Sequence, residues 1–157
     1  MTEPTMIEIQ VLDGTLDPES EQRSLRQRIS GAGALVAFVG LMRDHNLGDA
    51  VEAMELEHYP GMTERALREI AEQAAERWTL SAIHLSHRVG RLLPEDPIVL
   101  VVVTSTHRRE AFEACEFLMD FLKTRAPFWK KEFTAEGARW VEARQSDDQA
   151  ADRWSAQ

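Results

Sequence analysis

Apolar and polar positions alternate with two different periods along this chain. Residues 6–12, MIEIQVL, alternate closely enough to predict a first strand, and Gly14 and Pro18 mark the loop after it. A short helix follows over 19–30, with Ser20 as a candidate cap, and Gly31 and Gly33 then punctuate the chain. Residues 34–43, ALVAFVGLMR, form an apolar run rich in β-branched and aromatic side chains, which predicts a buried strand. A polar loop, 44–49, leads into VEAMELEHY, 51–59, a strand expected to lie antiparallel to the preceding one. Pro60 and Gly61 open the longest helix, ending near Trp78, with Met62, Ala66, Leu67, Ile70, Ala74 and Trp78 on its apolar stripe. Residues 82–90 alternate again. Pro94 and Pro97 bracket an acidic turn, and PIVLVVVTS, 97–105, is the most hydrophobic strand and is expected at the centre of the sheet.

A second long helix is predicted from Arg108 to Arg125, burying Ala111, Phe112, Cys115, Leu118, Met119 and Leu122. Pro127 breaks it. FWKKEFTA, a Glu136-Gly137 turn and a last strand over 138–144 follow, and the polar tail from about residue 145 is expected to be mobile in isolation. There is no internal repeat and no linker, so the 157 residues read as one domain. Helices and strands alternate irregularly, with hairpins expected between neighbouring strands, which points to an α+β fold with a mixed or antiparallel sheet and two main helices.

Composition narrows the chemistry. The net charge of −9, from 18 basic and 27 acidic residues, disfavours a general nucleic-acid binder, which needs a broad basic surface. One cysteine, Cys115, permits no disulfide framework within the chain, and its place on the apolar face of a helix predicts an inert thiol. No apolar run approaches the roughly 18 residues of a membrane span, and the start lacks the features of a signal peptide. The cytoplasm is the expected compartment. The five histidines show no close metal-ligand spacing, so no metal is expected. Phosphate-loop, dinucleotide and serine-hydrolase signatures are missing.

Against this acidic background the run Lys123-Thr-Arg-Ala-Pro-Phe-Trp-Lys130-Lys131-Glu132 stands out. Lys123 reaches the Pro127 break on a helix, and Lys130 and Lys131 can return toward it on the next segment. Ammonium groups held together repel, and a lysine so placed is easier to deprotonate and more reactive. His107-Arg108, where the strand over 97–105 passes into the second helix, places basic groups at a helix N-terminus, where an anion is the usual compensation. Arg43 at a strand end suits bidentate recognition of an oxyanion.

Six segments carry a resemblance. Phe38-Val-Gly-Leu-Met-Arg43, Leu56-Glu-His-Tyr-Pro-Gly-Met62, His87-Arg-Val-Gly90, Thr104-Ser-Thr-His-Arg108, the run Asp120 to Glu132, and Trp140-Val-Glu-Ala-Arg144 occur in the order and spacing of one family. Over most of residues 6–154 the chain resembles the large, catalytic subunit of molybdopterin synthase. The resemblance implies an α/β hammerhead-type fold that dimerises. A small ubiquitin-like subunit ending in Gly-Gly binds each outer end, giving a heterotetramer. The implied reaction is sulfur transfer from the thiocarboxylated tail of that subunit to cyclic pyranopterin monophosphate, forming a dithiolene. No cofactor of the chain's own is implied. By motif position the resemblance makes Lys123 the leading catalytic residue and Lys130 the second, with Arg43, His107 and Arg108 forming a pocket for the substrate. Lys131 and Glu132 flank that site, Glu132 expected to hold a lysine in place by a salt bridge, and Arg144 is placed to reach a neighbouring protomer. Leu41 and Met42 belong to the same motif as Arg43, although some family members carry a lysine at the position of Leu41. Two other readings compete: a scaffold that only docks the ubiquitin-like partner, and a phosphate-ester enzyme working through a lysine Schiff base. The intact basic residues argue against the first, and borohydride trapping on Lys123 would support the second.

Overall fold

The computed structural model describes residues 3–141 and 145–156. Strands β1 (Met6–Asp13), β2 (Ala34–Leu41), β5 (Ala53–His58), β6 (Ala82–Leu92), β7 (Pro97–Ser105), β8 (Phe128–Thr134) and β9 (Gly137–Val141) form one seven-stranded sheet. Its order is β2-β7-β6-β5-β8-β9, with β1 added to β6 in parallel. A two-residue ladder, β3 (His45–Asn46) with β4 (Asp49–Ala50), stands apart. Helices α2 (Met62–Arg77) and α3 (Arg108–Arg125) cover one face and α1 (Pro18–Arg28) packs on the other. The arrangement is the expected α+β fold with two main helices.

β7 explains why its sequence is continuously apolar. Val99, Val101 and Val103 pack under α2 and α3, while Leu100 and Val102 pack with Leu25 of α1, so both of its faces are covered. β6 is the hub. Along Ala82–Val89 it runs beside β1, and from Gly90 onward it pairs with β5. The change of partner occurs where Gly90 adopts φ +87, and a Cβ there would lie 2.5 Å from Asp13 Oδ1.

Several expectations need correction. β2 is an edge strand rather than a buried one, with Ala37, Phe38 and Leu41 exposed. β5 does not pair with β2; its neighbours are β6 and β8. β7 lies one place in from the edge. Asp17, not Ser20, caps α1, accepting the Ser20 backbone N–H at 3.2 Å. Met62 and Phe112 are exposed.

The tail differs most. Residues Gln145–Asp152 form α4, followed by a 3-10 turn at Arg153–Ala156. Trp154 is buried against Trp78 and Phe117 of the helical layer, and its indole N–H donates to Asp120 Oδ2 at 2.6 Å. That aromatic anchor, with Arg77 donating to the Trp154 carbonyl at 3.2 Å and Arg153 to Asp120 at 2.8 Å, ties down a segment whose composition is otherwise that of a loose end. Arg144 lies outside the described residues.

Candidate active site

A cleft of about 610 Å³ opens where the end of β2, the end of α3 and β8 meet. Each side chain reaches it for a local reason. Residue 126 precedes Pro127 and takes extended geometry, φ −78 and ψ 132, so α3 stops at Arg125 with Lys123 in its last turn. The chain re-enters the sheet as β8, where side chains alternate between faces. Phe128, Lys130 and Glu132 line the cleft. Lys131 belongs to the opposite set, its ammonium 5.6 Å from the Trp140 ring centroid and 5.8 Å from that of Phe133. The expectation that Lys131 flanks the site is therefore corrected: strand alternation turns it away.

Leu41, Met42 and Arg43 line the cleft at the end of β2. Met42 is buried, and its backbone N–H donates to the Asp96 carbonyl at 2.9 Å, while its own carbonyl accepts from Glu95 at 2.8 Å. That clasp fixes where Arg43 leaves the sheet. Glu132 is buried and accepts from Asn46 Nδ2 at 3.0 and 3.1 Å and from Arg139 Nε at 3.2 Å. Arg139 also donates to Asp49 at 2.8 Å and to the Asn46 carbonyl at 3.1 Å. Glu132 thus ties the 45–50 ladder, one wall of the cleft, to β8 and β9.

His107 and Arg108 are not brought to this cleft. They lie at the other end of α3, and 1.5 Å of rise per residue separates Arg108 from Lys123 by about 22 Å along the axis. The expected pocket of Arg43, His107 and Arg108 therefore does not form within one chain.

The structure also adds residues. His45, Asn46 and Asp147 line the cleft, and so does His87 from β6. His87 continues the apolar phase of Ile83 and Leu85, and a histidine in that phase is the one sequence signal that it faces the helical layer rather than α1. Its ring stacks on Phe128, centroids 3.8 Å apart and 17° from parallel. Burial pushes its pKa down to about 3; the Arg88 carbonyl works against that shift, and the nearby Lys123 and Lys130 add to it. Cys115 is buried, which pushes its thiol up to about 11, as its place on the apolar face of α3 implied. Among the described residues no group of three or more histidine, cysteine or acidic side chains is placed to hold a metal ion, and no helix is long and apolar enough to cross a membrane.

In a chain with a net charge of −9, Arg43, Lys123 and Lys130 around one cleft concentrate positive potential where a small anion can enter. The fold and the cleft define an α+β protein with a cationic cleft that holds two lysines and an arginine. The family model described as "MoaE protein" matches residues 11–125, and the chain belongs to that family. It is 56% identical over 146 residues to the molybdopterin synthase catalytic subunit of Pseudomonas aeruginosa, covering 93% of this chain and 97% of that protein. To the molybdopterin synthase catalytic subunit of Escherichia coli it is 63% identical over 122 residues, covering 78% and 81%. Among solved structures, the molybdopterin biosynthesis MoaE protein of Burkholderia ambifaria superposes with a TM-score of 0.79 at 51% identity, covering 98% of this chain and 99% of that one.

Proposed function

We propose that this chain is the catalytic subunit of a molybdopterin synthase, transferring sulfur to cyclic pyranopterin monophosphate to build the dithiolene. The observation that carries the reading is the convergence of Lys123, Lys130 and Arg43 on one cleft. The family likeness supplies the reaction. Arg43 at the rim binds the phosphate of the precursor, for which a guanidinium is suited. Lys123 assists proton transfer or polarises the acyl group as sulfur is delivered, and Lys130 stabilises negative charge that develops in the cleft. Leu41 and Met42 line the substrate's path. Sulfur arrives on the thiocarboxylated Gly-Gly tail of a small ubiquitin-like subunit. The inert Cys115 fits a route that needs no thiol from this chain.

His107 and Arg108 can join the site only from a second copy. β2 offers a route: it is an edge strand, ALVAFVGL, without a charge or proline to discourage pairing. Antiparallel pairing of two such edges sets the start of one β2, beside the α3 N-terminus, against the Leu41–Arg43 end of the other. This arrangement agrees with the homodimer, capped by two small subunits, that the family resemblance implies.

The test is reconstitution. The chain is mixed with thiocarboxylated small subunit and cyclic pyranopterin monophosphate, and dithiolene formation is followed by mass spectrometry. Product that depends on the chain and disappears with Lys123→Ala supports the reading. No product, with the small subunit still bound, moves the assignment to a docking scaffold.

A further inference from the structure

The cations at the cleft, Arg43, Lys123 and Lys130, present donors only. His87 is different. Its Nδ1 lies 2.9 Å from the Arg88 backbone oxygen. A carbonyl can only accept, so Nδ1 carries the hydrogen, and in the neutral ring Nε2 is left with a lone pair. The ring is held on three counts: it sits on β6, it is 6% exposed, and it stacks on Phe128. With the ring neutral throughout the physiological range, Nε2 can accept and cannot donate. Phe128 follows directly on the Ala126-Pro127 break, so the same turn that ends α3 after Lys123 seats the ring's stacking partner. Of the two lysines, Lys123 acts more strongly on the ring than Lys130 does.

We infer that His87 is a positioning residue: its Nε2 accepts a hydrogen from the Lys123 ammonium when the cleft is occupied, and so fixes where that ammonium points. The inference rests on the catalytic reading of Lys123 given above. Lys123 is otherwise a long exposed side chain with several rotatable bonds, and an acceptor at one end of its range removes most of its alternative positions. Glu132, the cleft carboxylate on β8, is already engaged by Asn46 and Arg139, and a neutral ring adds an acceptor without adding negative charge toward an anionic substrate.

The test uses the assembled synthase and two variants. His87→Phe keeps a flat ring against Phe128 and removes the acceptor; His87→Gln offers an amide oxygen in its place. With wild type active, His87→Phe is expected to lower kcat about tenfold or more, the scale of losing one hydrogen bond to a charged group, with KM for the precursor within about twofold. The alkaline limb of its pH–rate profile should move to lower pH, because the ammonium form has lost an acceptor. His87→Gln should recover part of both effects. A purely structural role would lower thermal stability and leave the pH profile in place, and that result overturns the inference. If His87→Phe does not fold, the inference is decided by His87→Gln and His87→Asn: equal activity and equal pH profiles in both would refute it, since the shorter amide cannot reach the same point. Inactivity of wild type itself would instead overturn the functional reading.

Discussion

Gly40 is the point at which the frame of the sheet meets the site. It lies at the irregularity in the β2–β7 ladder, where the register shifts between Gly40 and Leu41. A Cβ there would stand 2.6 Å from Val99 Cγ1. Ordinary carbon contacts are about 3.5–4.0 Å, so Gly40→Ala forces a displacement of about 1 Å. Val99 cannot yield cheaply, being 3% exposed in the main core and stiff at χ1. Nor can the strand slide onward, because Met42 is clasped on both backbone groups by Glu95 and Asp96. Overpacking of this kind costs about 1–3 kcal/mol, offset by up to about 1 kcal/mol from the lower entropy of an unfolded alanine. The net expectation is a loss of about 1–2 kcal/mol in urea unfolding. The same shift moves Leu41 and Arg43 at the cleft rim, and misplacement of about 1 Å can cost up to about a hundredfold in rate. Val99→Ala alone should cost about 2 kcal/mol for its buried methyls. The double variant should be more stable than the sum of the two losses implies, by at least about 1 kcal/mol, since the truncated side chain makes room for the new Cβ. Additive losses, or Gly40→Ala with unchanged stability and unchanged kcat/KM, would refute the reasoning.

Other outcomes follow from the same geometry. Lys123→Ala should abolish turnover and Lys130→Gln should reduce it at least tenfold, both with small-subunit binding intact by calorimetry; normal kinetics in either removes that residue from the mechanism. Trp154→Phe keeps the ring contacts with Trp78 and Phe117 but leaves Asp120 without the indole N–H, and should cost about 2 kcal/mol in thermal or urea unfolding. His87 gives the acid limb of stability. Its folded value of about 3 lies below the ordinary 6.5, so between these pH values the unfolded chain binds more protons than the folded one. Stability from this group is whole above pH 6.5 and falls as pH drops toward 3, by up to about 1.4 kcal/mol per pH unit, and His87→Phe should flatten that limb.

The long helices were legible because their apolar residues recur at helical spacing and Pro60 and Pro127 bound them. β7 was legible for the opposite reason, a run of apolar residues without period. β2 misled because an apolar strand reads the same in sequence at the edge of a sheet as in its interior. The partner of β5 was not readable, since β8 lies some 70 residues further on and no local pattern encodes the pairing. In the tail, Ala151 and Trp154 are the buried apolar residues, too few to signal a helix, and the bond that holds them reaches back to Asp120. At the site, Lys123, Lys130 and Arg43 were recognisable as charges in an unusual place and through the family resemblance. His87 was visible in the sequence only as the start of a family segment, because a stacked ring and a fixed tautomer arise only after β6, β8 and the Pro127 turn have come together.

The alternation of β8 restricts how this chain can change length. Lys130 and Glu132 face the cleft because each stands an even number of residues from Phe128, and Trp129 and Lys131 face away. Inserting one residue between Pro127 and Trp129 would exchange the two sets, setting the tryptophan at the place of Lys130 in the cleft and turning Lys130 away. Related chains should therefore differ freely in length at the Thr134–Gly137 hairpin and hardly at all in the few residues after Pro127. An alignment gap there would mark loss of this chemistry even where every lysine remains.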